Sequence, residues 1–576
     1  MPAFAAQHSL FRAYDIRGAR QYFTSDFIDA LGRAFCALYQ LEPTNPRARV
    51  VIGYDTRHGS QHIADALTRV LASSVQVIRL GLITTPMMAF WAARYEGHGI
   101  MVTASHSHKD TLGIKWMHAH HSPSSEAILA MRDALMVTPQ LPVAPLTELT
   151  AHIVTLPPAQ VIDTYTQSLH QVLADLADAR YPSAPSGIPS ILSSKAATTH
   201  PVSLFDMTVV VDCMHGASGR VAAAVFQRYC RQVLLLNETP DGDFPTGNPD
   251  PTEPNRLAEL QQTVILNRAD MGLAFDGDAD RLMVIDNSGK LVAPDHLLYL
   301  LAHIAITDRP VSQHVPKVMF DVKCAHHLST LLLAEGAESV MSRTGSSLMR
   351  QHLQADPDCA VFAGELSGHF IFNDGYFMVY DDALYASLRL LFWLAYAPAY
   401  DPIANMPRQT LDVWGAPRTN PQRQLTDITE HLPRLVSTAD HYLPMPTMHQ
   451  DSCSIVEHLT SLCQYLQHDH AACATMTSAG QHADTCCCLA SAKAAFDDSA
   501  AEILPKDTRI CCIDGIRLDF ARGFGVLRQS NTSHSLTVRF AGDSAADLHS
   551  IQARFVRLCQ PFNAELAAQI ATIDAT

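Results

Sequence analysis

The chain has 576 residues, of which 47% are hydrophobic, and a formal net charge of −16 at pH 7. A single core stops growing near about 250–300 residues, so this length predicts two to four domains. The negative charge argues against a nucleic-acid-binding surface, no stretch approaches the ~20 apolar residues of a membrane span, and we find no signal peptide. We therefore expect a soluble cytoplasmic protein with no nucleic-acid or membrane partner.

Segments typical of strands and of helices alternate from the start of the chain. The predicted strands are Val50–Gly53, Val75–Leu80 and Ile100–Thr103, and the predicted helices between them are Gln61–Ser73 and Met87–Arg94. Such alternation predicts βαβ units and a mostly parallel sheet. In a sheet of this kind, ligand loops lie at the carboxyl ends of the strands.

The same alternation begins again twice. A second run has strands at Val209–Asp212, Val233–Leu236, Met271–Phe275 and Leu282–Ile285 and a helix at Gly219–Cys230, and a third run has strands at Lys317–Val322 and Ala360–Phe362 and a helix at His327–Glu335. The Pro- and Ser-rich stretch before the second run is typical of a loop. Three runs predict three consecutive, related α/β layered domains.

The pattern changes after about residue 410. Here we predict β-like pieces within Leu435–Met448, helices at Ser454–Leu466 and Ala545–Arg557, and strands at Ile516–Phe520, Gly525–Arg528 and Ser535–Phe540. These elements indicate a C-terminal α+β domain. Residues 467–507 are rich in small residues, His and Cys, so we predict an insertion there that is disordered or loosely packed.

Four domains follow from these runs. We expect them at residues 1–155, 156–296, 297–409 and 410–576, with insertions at about 181–204 and about 467–507. Nine of the 14 cysteines follow residue 450, and they form no CxxC pair. The three consecutive cysteines Cys486-Cys487-Cys488 cannot all face one tetrahedral ion, so we predict reduced thiols.

The strongest chemical signal is the segment Asp276-Gly277-Asp278-Ala279-Asp280-Arg281, which follows a predicted strand. Three carboxylates in alternate positions can converge on one cation, and hard oxygen ligands suit Mg²⁺. A solvated acidic turn is the plainer alternative, but neighbouring carboxylates repel unless something neutralises them. The segment therefore predicts a metal site.

Ser105 lies in the stretch Thr103-Ala104-Ser105-His106, ahead of Gly113 and Lys115. We interpret it as a serine that carries a phosphoryl group. Many such serines are only loop residues that bond to their own backbone. Three further segments nevertheless suit phosphate or sugar: 11–18, with Arg12 and Arg17, 364–369, with two glycines and three polar side chains, and 528–532, a potential phosphate nest.

Each of these three segments alone is compatible with a surface ion pair or a polar turn. Together with Ser105 and the carboxylates they supply a nucleophile, a metal site, a sugar-binding loop and a phosphate clamp. Transfer of a phosphoryl group on a sugar requires this set.

The motifs also occur in the order of a known family. The sequence has FRAYDIRG at 11–18, TASH…GIK at 103–115, DGDADR at 276–281, GELSGH at 364–369 and RQSNT at 528–532. In these motifs the chain resembles the α-D-phosphohexomutase superfamily, and most of all its bacterial phosphomannomutase/phosphoglucomutase branch. The resemblance covers most of the chain apart from about 181–204 and 467–507.

The resemblance implies four domains around a central cleft and an intramolecular phosphotransferase. Such an enzyme interconverts hexose 1-phosphate and hexose 6-phosphate, here of mannose and glucose, through a phosphoserine and a hexose 1,6-bisphosphate. It implies Mg²⁺ and glucose 1,6-bisphosphate as cofactors and phosphosugars as ligands, with products that feed nucleotide sugars and surface polysaccharide. We expect a monomer.

The resemblance also implies roles for single residues. Ser105 would be the phosphoserine, with a catalytic group of His106, Lys115, Arg17 and Arg281. The Mg²⁺ ligands would be Ser105, Asp276, Asp278 and Asp280. The substrate-binding residues would be Tyr14, Lys323, Glu365, Ser367, His369, Arg528, Ser530, Asn531 and Thr532. Lys115 or a nearby basic group would take the hydroxyl proton.

Several positions depart from the family pattern. His106 is followed by Ser107 and His108 instead of Asn-Pro, Leu112 replaces an Asn, and Ser346 replaces a His. We expect such changes to slow turnover or to shift substrate preference. They leave two alternatives open: a phosphoglucosamine mutase, and a non-catalytic paralogue that binds sugar phosphates.

Overall fold

The computed structural model describes residues 4–39, 48–137, 152–180, 204–310, 312–397, 401–403, 423–446, 454–467, 492, 496, 500–530 and 535–574. The predicted loop at 181–200, Asn531 and Thr532 lie outside these residues. Among the residues that are described, no helix is long and apolar enough to cross a membrane.

The first sheet has six strands in the order β1-β5-β4-β2-β3-β6. These strands are β1 (Ile16–Ala19), β2 (Arg49–Tyr54), β3 (Gln76–Leu82), β4 (Gly99–Val102), β5 (Thr111–Met117) and β6 (Ile153–Thr155). Its helices are α1 (Ser25–Tyr39), α2 (Ser60–Leu71), α3 (Thr85–Ala93), α4 (Ser125–Val137) and α5 (Pro158–Arg180). Strands β4, β2, β3 and β6 pair in parallel, and β5 pairs antiparallel with β4 and β1.

The apolar faces of these elements explain their packing. Leu67, Val70 and Leu71 of α2 are buried with Val50 and Ile52 of β2 in one hydrophobic core. Because β2, β3 and β4 run parallel, their carboxyl ends lie at one edge of the sheet. The loops that hold Asp55, Thr85 and Ser105 follow these three ends.

The second and third sheets have four strands each, in the orders β10-β9-β7-β8 and β12-β11-β13-β14. Their strands are β7 (Phe205–Asp212), β8 (Cys230–Leu236), β9 (Met271–Phe275), β10 (Leu282–Ile285), β11 (Lys317–Asp321), β12 (Glu338–Ser342), β13 (Ala360–Gly364) and β14 (Phe370–Phe372). Their helices are α6 (Gly219–Tyr229), α7 (Ala258–Asn267), α8 (Pro294–Asp308), α9 (His327–Ala334), α10 (Ser346–Ala355) and α11 (Ala383–Tyr396).

The fourth sheet is antiparallel, with the order β15-β20-β19-β18-β17, and β16 also pairs with β20. Its strands are β15 (Val436–Ser437), β16 (His441–Pro444), β17 (Arg509–Cys511), β18 (Ile516–Phe520), β19 (Gly523–Gln529) and β20 (Ser535–Gly542). The remaining helices are α12 (Leu425–Thr429), α13 (Ile455–Gln467), α14 (Ala500–Ile503), α15 (Ala545–Cys559) and α16 (Ala564–Ala571). The predicted C-terminal α+β fold is therefore confirmed.

The chain divides into two compact units. The first comprises Met1–Met319, Glu335–Glu338 and Gly345–Leu432, and the second comprises Phe320–Ala334, Ser339–Thr344 and Pro433–Thr576. Each predicted strand and helix named above is present within a few residues of its expected ends.

One prediction about packing is wrong in part. The sequence predicts that the segment 467–507 is disordered or loosely packed. Most of it lies outside the described residues, but Ala492, Phe496, Ile503 and Leu504 are buried in the core of the fourth sheet. The prediction fails at these residues because a few apolar side chains in a polar segment are enough to pack part of that segment against α13 and α15.

Candidate active site

The acidic segment forms a tight turn between β9 and β10. Asp276, Asp278 and Asp280 are buried, and one oxygen of each lies within 4.8 Å of one from each of the others. Ala279 has a left-handed backbone with φ 58°, which lets the turn bring alternate side chains to one side. The predicted convergence of the three carboxylates is present in the structure.

Ser105 contacts this carboxylate cluster directly. Its Oγ donates a hydrogen bond of 2.6 Å to Asp276 Oδ2 and lies 3.2 Å from His106 Nδ1. Its backbone N–H donates to Thr103 Oγ1 at 2.9 Å, and its φ is 51°. A left-handed conformation costs an L-residue roughly 1–2 kcal/mol, so surrounding contacts must fix this loop.

A glycine allows the two loops to approach. A Cβ atom added to Gly277 would lie 2.6 Å from the carbonyl oxygen of Ser105, which is closer than real Cβ contacts. Only glycine fits between the serine loop and the carboxylate turn. A glycine between Asp276 and Asp278 therefore lets the carboxylate cluster form and lets Ser105 lie against it.

Lys115 extends from β5 into the same cluster. Its Nζ donates to Asp278 Oδ2 at 2.8 Å and to Asp280 Oδ2 at 2.5 Å. Burial opposes the charge on Lys115, but these two carboxylates outweigh it and raise the pKa of the ammonium group. Because these ion pairs hold the proton on the Lys115 ammonium group, Lys115 is better suited to supply a fixed positive charge than to accept a proton.

The donor set fits a hard divalent cation. Burial, Asp280 and Asp278 raise the pKa of Asp276 well above its usual value, so the cluster holds more negative charge than its neighbours neutralise. Asp278 Oδ1 and Asp280 Oδ1 are buried and have no hydrogen-bond partner among the residues that the structure describes. Buried carboxylate oxygens without donors are the ligands that Mg²⁺ takes.

Arg281 and His369 lie beside the cluster. Arg281 Nε donates to His369 Nε2 at 3.1 Å and lies 4.0 Å from Asp276 Oδ2. His369 Nδ1 lies 2.7 Å from Asp381 Oδ2. His369 therefore presents Nε2 to Arg281 and Nδ1 to Asp381.

The loop between β13 and β14 holds the other predicted sugar ligands. Glu365 Oε1 accepts a hydrogen bond from the backbone N–H of Gly345, and Glu365 Oε2 accepts one from Ser367 Oγ at 3.0 Å. The ring of Tyr14 packs on Gly345, where an added Cβ would lie 2.5 Å from the ring. Tyr14 and Glu365 therefore meet at the start of α10.

Arg17 and His106 border Ser105 on its other side. Arg17 pairs with the carboxylate of Asp15, and Arg17 Nη1 donates to Ser107 Oγ at 3.2 Å. Burial, Arg281 and Arg17 lower the pKa of His106 well below its usual value. The imidazole is therefore neutral at pH 7.

Arg57 was not among the predicted site residues. Its guanidinium donates to the backbone carbonyls of Ser105 at 2.5 Å, Ser107 at 2.6 Å and His108 at 2.8 Å. It lies 3.2 Å from the buried carboxylate of Asp55. Its place at the carboxyl end of β2 was the available signal, since such ends hold ligand loops.

Two further residues of the first unit also escaped sequence reasoning. Thr85 begins α3, and its Oγ1 donates to Asp278 Oδ2 at 2.5 Å. Arg350 pairs with Asp381, and its Nη1 donates to Ser346 Oγ at 3.2 Å. At position 346, where the family pattern has an imidazole, this chain thus places a serine bonded to a guanidinium.

The remaining predicted ligands lie in the second unit. Lys323 Nζ donates to Asp440 Oδ2 at 2.7 Å. Arg528 is buried in β19, and its Nε donates to Asp514 Oδ2 at 2.9 Å. Arg528 Nη2 has no hydrogen-bond partner in the described parts of the chain, and Ser530 follows two residues later. A buried guanidinium with a spare donor suits a phosphate oxygen.

A buried serine bonded to a carboxylate cluster, beside a fixed lysine and arginine on α/β layers, defines an enzyme of the phosphoryl-transfer class. Models of three phosphoglucomutase/phosphomannomutase α/β/α domains, I, II and III, match residues 8–131, 190–289 and 293–408. The chain belongs to this phosphoglucomutase/phosphomannomutase family of hexose phosphate mutases.

Individual relatives agree with the domain matches. The chain is 28% identical over 556 residues to a phosphomannomutase/phosphoglucomutase of Pseudomonas syringae pv. tomato, covering 95% of this chain and 94% of that one. It is 28% identical over 550 residues to a phosphoglucomutase of Neisseria gonorrhoeae, covering 95% of each chain.

Solved structures share the fold. A phosphoglucomutase/phosphomannomutase family protein from Burkholderia thailandensis aligns with a TM-score of 0.67 at 24% identity, over 99% of both chains. Parafusin, a phosphoglucomutase from Paramecium, aligns with a TM-score of 0.67 at 17% identity, over 98% of this chain and 96% of that one.

Proposed function

We propose that this mutase interconverts the 1- and 6-phosphates of mannose and glucose through a phosphoserine at Ser105 and a hexose 1,6-bisphosphate. The observation that carries the proposal is the 2.6 Å hydrogen bond from Ser105 Oγ to Asp276 inside a buried cluster of three carboxylates. A serine in this setting is suited to exchange a phosphoryl group, because a cation held by the three carboxylates, with Lys115 and Arg281, would offset the charge on its oxygen and on the phosphoryl group.

The reaction consists of two transfers. In the first, the bond between phosphorus and Ser105 Oγ breaks as a bond forms to a free hydroxyl of the hexose monophosphate, giving the 1,6-bisphosphate. Ser105 Oγ keeps the electron pair, and the hydroxyl proton passes to a base. In the second, the other phosphoryl group returns to Ser105 Oγ, the sugar oxygen takes a proton, and the isomeric monophosphate leaves.

Asp276, Asp278 and Asp280, with an oxygen of the phosphorylated Ser105, would hold Mg²⁺. The chemistry that Mg²⁺ supplies when bound is neutralisation of negative charge on the transferring group. Lys115 and Arg281 add fixed positive charge at the carboxylate cluster that Ser105 Oγ contacts. His106, whose neutral Nδ1 lies 3.2 Å from Ser105 Oγ, is the base that we propose for the hydroxyl proton.

Substrate recognition would use the other predicted residues. Glu365 and Ser367 would bind sugar hydroxyls, with His369 oriented by Asp381 and Tyr14 beside them. Lys323, Arg528 and Ser530 would bind the phosphate that does not react, with Asn531 and Thr532 as further ligands. Supporting this assignment, Arg528 has a buried donor nitrogen without an acceptor among the described residues. We also propose domain boundaries near residues 155, 296 and 409. The matched ranges 190–289 and 293–408 support the two boundaries near 296 and 409.

A coupled assay tests the proposal. The protein is incubated with mannose 1-phosphate or glucose 1-phosphate, Mg²⁺ and a trace of glucose 1,6-bisphosphate, and 6-phosphate formation is followed. We expect turnover of both sugars with the wild type and none with Ser105→Ala. A kcat/KM for glucosamine phosphate above the values for mannose and glucose phosphates would show that the protein is a phosphoglucosamine mutase instead.

A further inference from the structure

Two adjacent histidines and one aspartate converge in the second unit, apart from every residue assigned above. His326 directly precedes α9, and His327 is its first residue. Asp543 follows the last residue of β20 and precedes the N-cap of α15, Ser544. The three side chains are half-buried, with relative exposures of 12%, 25% and 28%.

Both imidazoles point to the same carboxylate oxygen. His326 Nε2 lies 3.3 Å and His327 Nε2 lies 3.0 Å from Asp543 Oδ1. The two rings are close neighbours, with centroids 3.8 Å apart and planes tilted by 40°. Asp543 Oδ1 is nevertheless buried and accepts no hydrogen bond from any described residue.

These distances suit ligands of one metal ion. Nitrogen and oxygen ligands about 2.0–2.2 Å from a single Zn²⁺ lie roughly 3.0–3.5 Å from one another. Both contacts lie within ion-pair distance, but neither has hydrogen-bond geometry among the described residues. Two imidazoles and a carboxylate are also the mixed set that favours first-row transition metals over Mg²⁺ or Ca²⁺.

The guanidinium groups near these three residues are screened by solvent or paired with other carboxylates. The nearest guanidinium, Arg522, lies 3.8 Å from Asp543 Oδ2 and is 66% exposed, so its attraction is screened by solvent. Arg517, which is also close to His326, is paired with Asp519 at 2.6 Å. The backbone N–H of Asp543 donates to Arg522 O at 3.1 Å and fixes the position of the aspartate.

We propose that His326, His327 and Asp543 form a binding site for a divalent transition metal ion, for which Zn²⁺ is the probe. The three protein ligands leave further positions for water. The ion would join the start of α9 to the turn between β20 and α15, two segments more than 200 residues apart in the sequence. This site is separate from the carboxylate cluster proposed for Mg²⁺, and the inference does not depend on the mutase reaction.

The test measures Zn²⁺ binding to the full chain, freed of metal with a chelator and kept in excess Mg²⁺. We expect the wild type to bind one more equivalent of Zn²⁺ than His326→Gln or Asp543→Asn, or to bind that equivalent at least about tenfold more tightly. His549→Gln, an exposed histidine on α15, is the matched control and should bind as the wild type does. Any Zn²⁺ taken up by the cysteines near residue 487 would be common to all four proteins and would cancel in the comparison.

A second measurement uses only the wild type and so does not depend on how the variants fold. Diethylpyrocarbonate modifies accessible imidazoles, and mass spectrometry locates the modified residues. We expect Zn²⁺ to slow modification of His326 and His327 by at least about tenfold while His549 reacts unchanged. Equal Zn²⁺ stoichiometry and affinity in wild type and Asp543→Asn, or no protection of His326 and His327, would overturn the proposal.

Discussion

Ser105 Oγ and Asp276 Oδ2 lie 2.6 Å apart although 171 residues separate them in the chain. Each comes from the carboxyl end of a strand, β4 or β9, in a different sheet. Gly277 permits this contact, since any side chain there would collide with the Ser105 carbonyl. The nucleophile and the carboxylate cluster are therefore positioned by backbone geometry and not by the side chains alone.

Loss of the Asp276 carboxylate should abolish most of the mutase activity. Asp276→Asn keeps the size of the side chain but removes the charge next to Ser105 Oγ and one proposed metal ligand. We expect kcat to fall by at least about 10²–10³-fold, the usual cost of losing one transition-state contact. Steady-state kinetics measures this. Asp133→Asn, on the exposed face of α4, should retain wild-type kcat, and a near-wild-type kcat for Asp276→Asn would contradict the role.

Arg57 should act through the position of the Ser105 loop. Replacing it with Met leaves Asp55 buried without its guanidinium partner and removes the donor to four backbone carbonyls, those of Ser105, Ser107, His108 and Thr111. We expect this to cost about 3–5 kcal/mol of stability. Displacement of Ser105 by about 1 Å should also lower kcat by roughly 10²-fold. Thermal unfolding and kinetics measure the two effects.

The control for Arg57 is Arg49→Met, which breaks an ion pair with Glu96 in which the arginine side chain is 43% exposed. Exposed pairs contribute only about 0–1 kcal/mol, so this variant should unfold and turn over almost as the wild type does. If Arg57→Met lost stability but kept full kcat, Arg57 would be structural only and the positioning role would be wrong.

Phe496 should anchor the Cys- and His-rich segment to the fourth sheet. It is 7% exposed and belongs to the core that includes Leu462, Phe555 and Leu558. Phe496→Ala should destabilise the protein by about 3–5 kcal/mol. Leu266→Ala, whose leucine is 81% exposed, should have little effect. Unfolding followed by circular dichroism checks both, and equal melting of Phe496→Ala and wild type would show that the segment is dispensable for stability.

A buried histidine should make stability depend on pH. His303 lies 3.0 Å from both Asp401 and Glu335. Burial opposes its charge, but the two carboxylates raise its pKa to about 9. Protonation of His303 therefore contributes about 3 kcal/mol to the stability of the fold. This contribution is complete at pH values below the ordinary histidine pKa of about 6.5 and is lost as the pH rises through about 9.

His303→Gln removes that charge at every pH. The difference in melting temperature between variant and wild type should therefore be largest near pH 6 and should narrow toward pH ~10. The exposed His549→Gln variant should show no such trend. A constant difference across this pH range would mean that His303 does not titrate between its two carboxylates.

The sequence predicts the parts of the fold and site that depend on local patterns. Alternating apolar segments predict the strands, and the short motifs after their carboxyl ends predict Ser105 and the three aspartates. Arg57, Thr85 and Arg350 escape prediction because their partners are distant backbone atoms or side chains with no spacing signal. The burial of Phe496 is missed for a related reason: one apolar residue in a polar segment has no periodicity.

The central claim is that Ser105 carries the phosphoryl group that is transferred. The most direct measurement is intact mass combined with site mapping of the purified protein, before and after addition of hexose 6-phosphate in Mg²⁺. We predict a single phosphate, about 80 Da, on Ser105 that is lost to the sugar and is absent from Ser105→Ala. A protein that turns over substrate with Ser105 never phosphorylated, or that binds sugar phosphate without ever exchanging the group, would contradict the account.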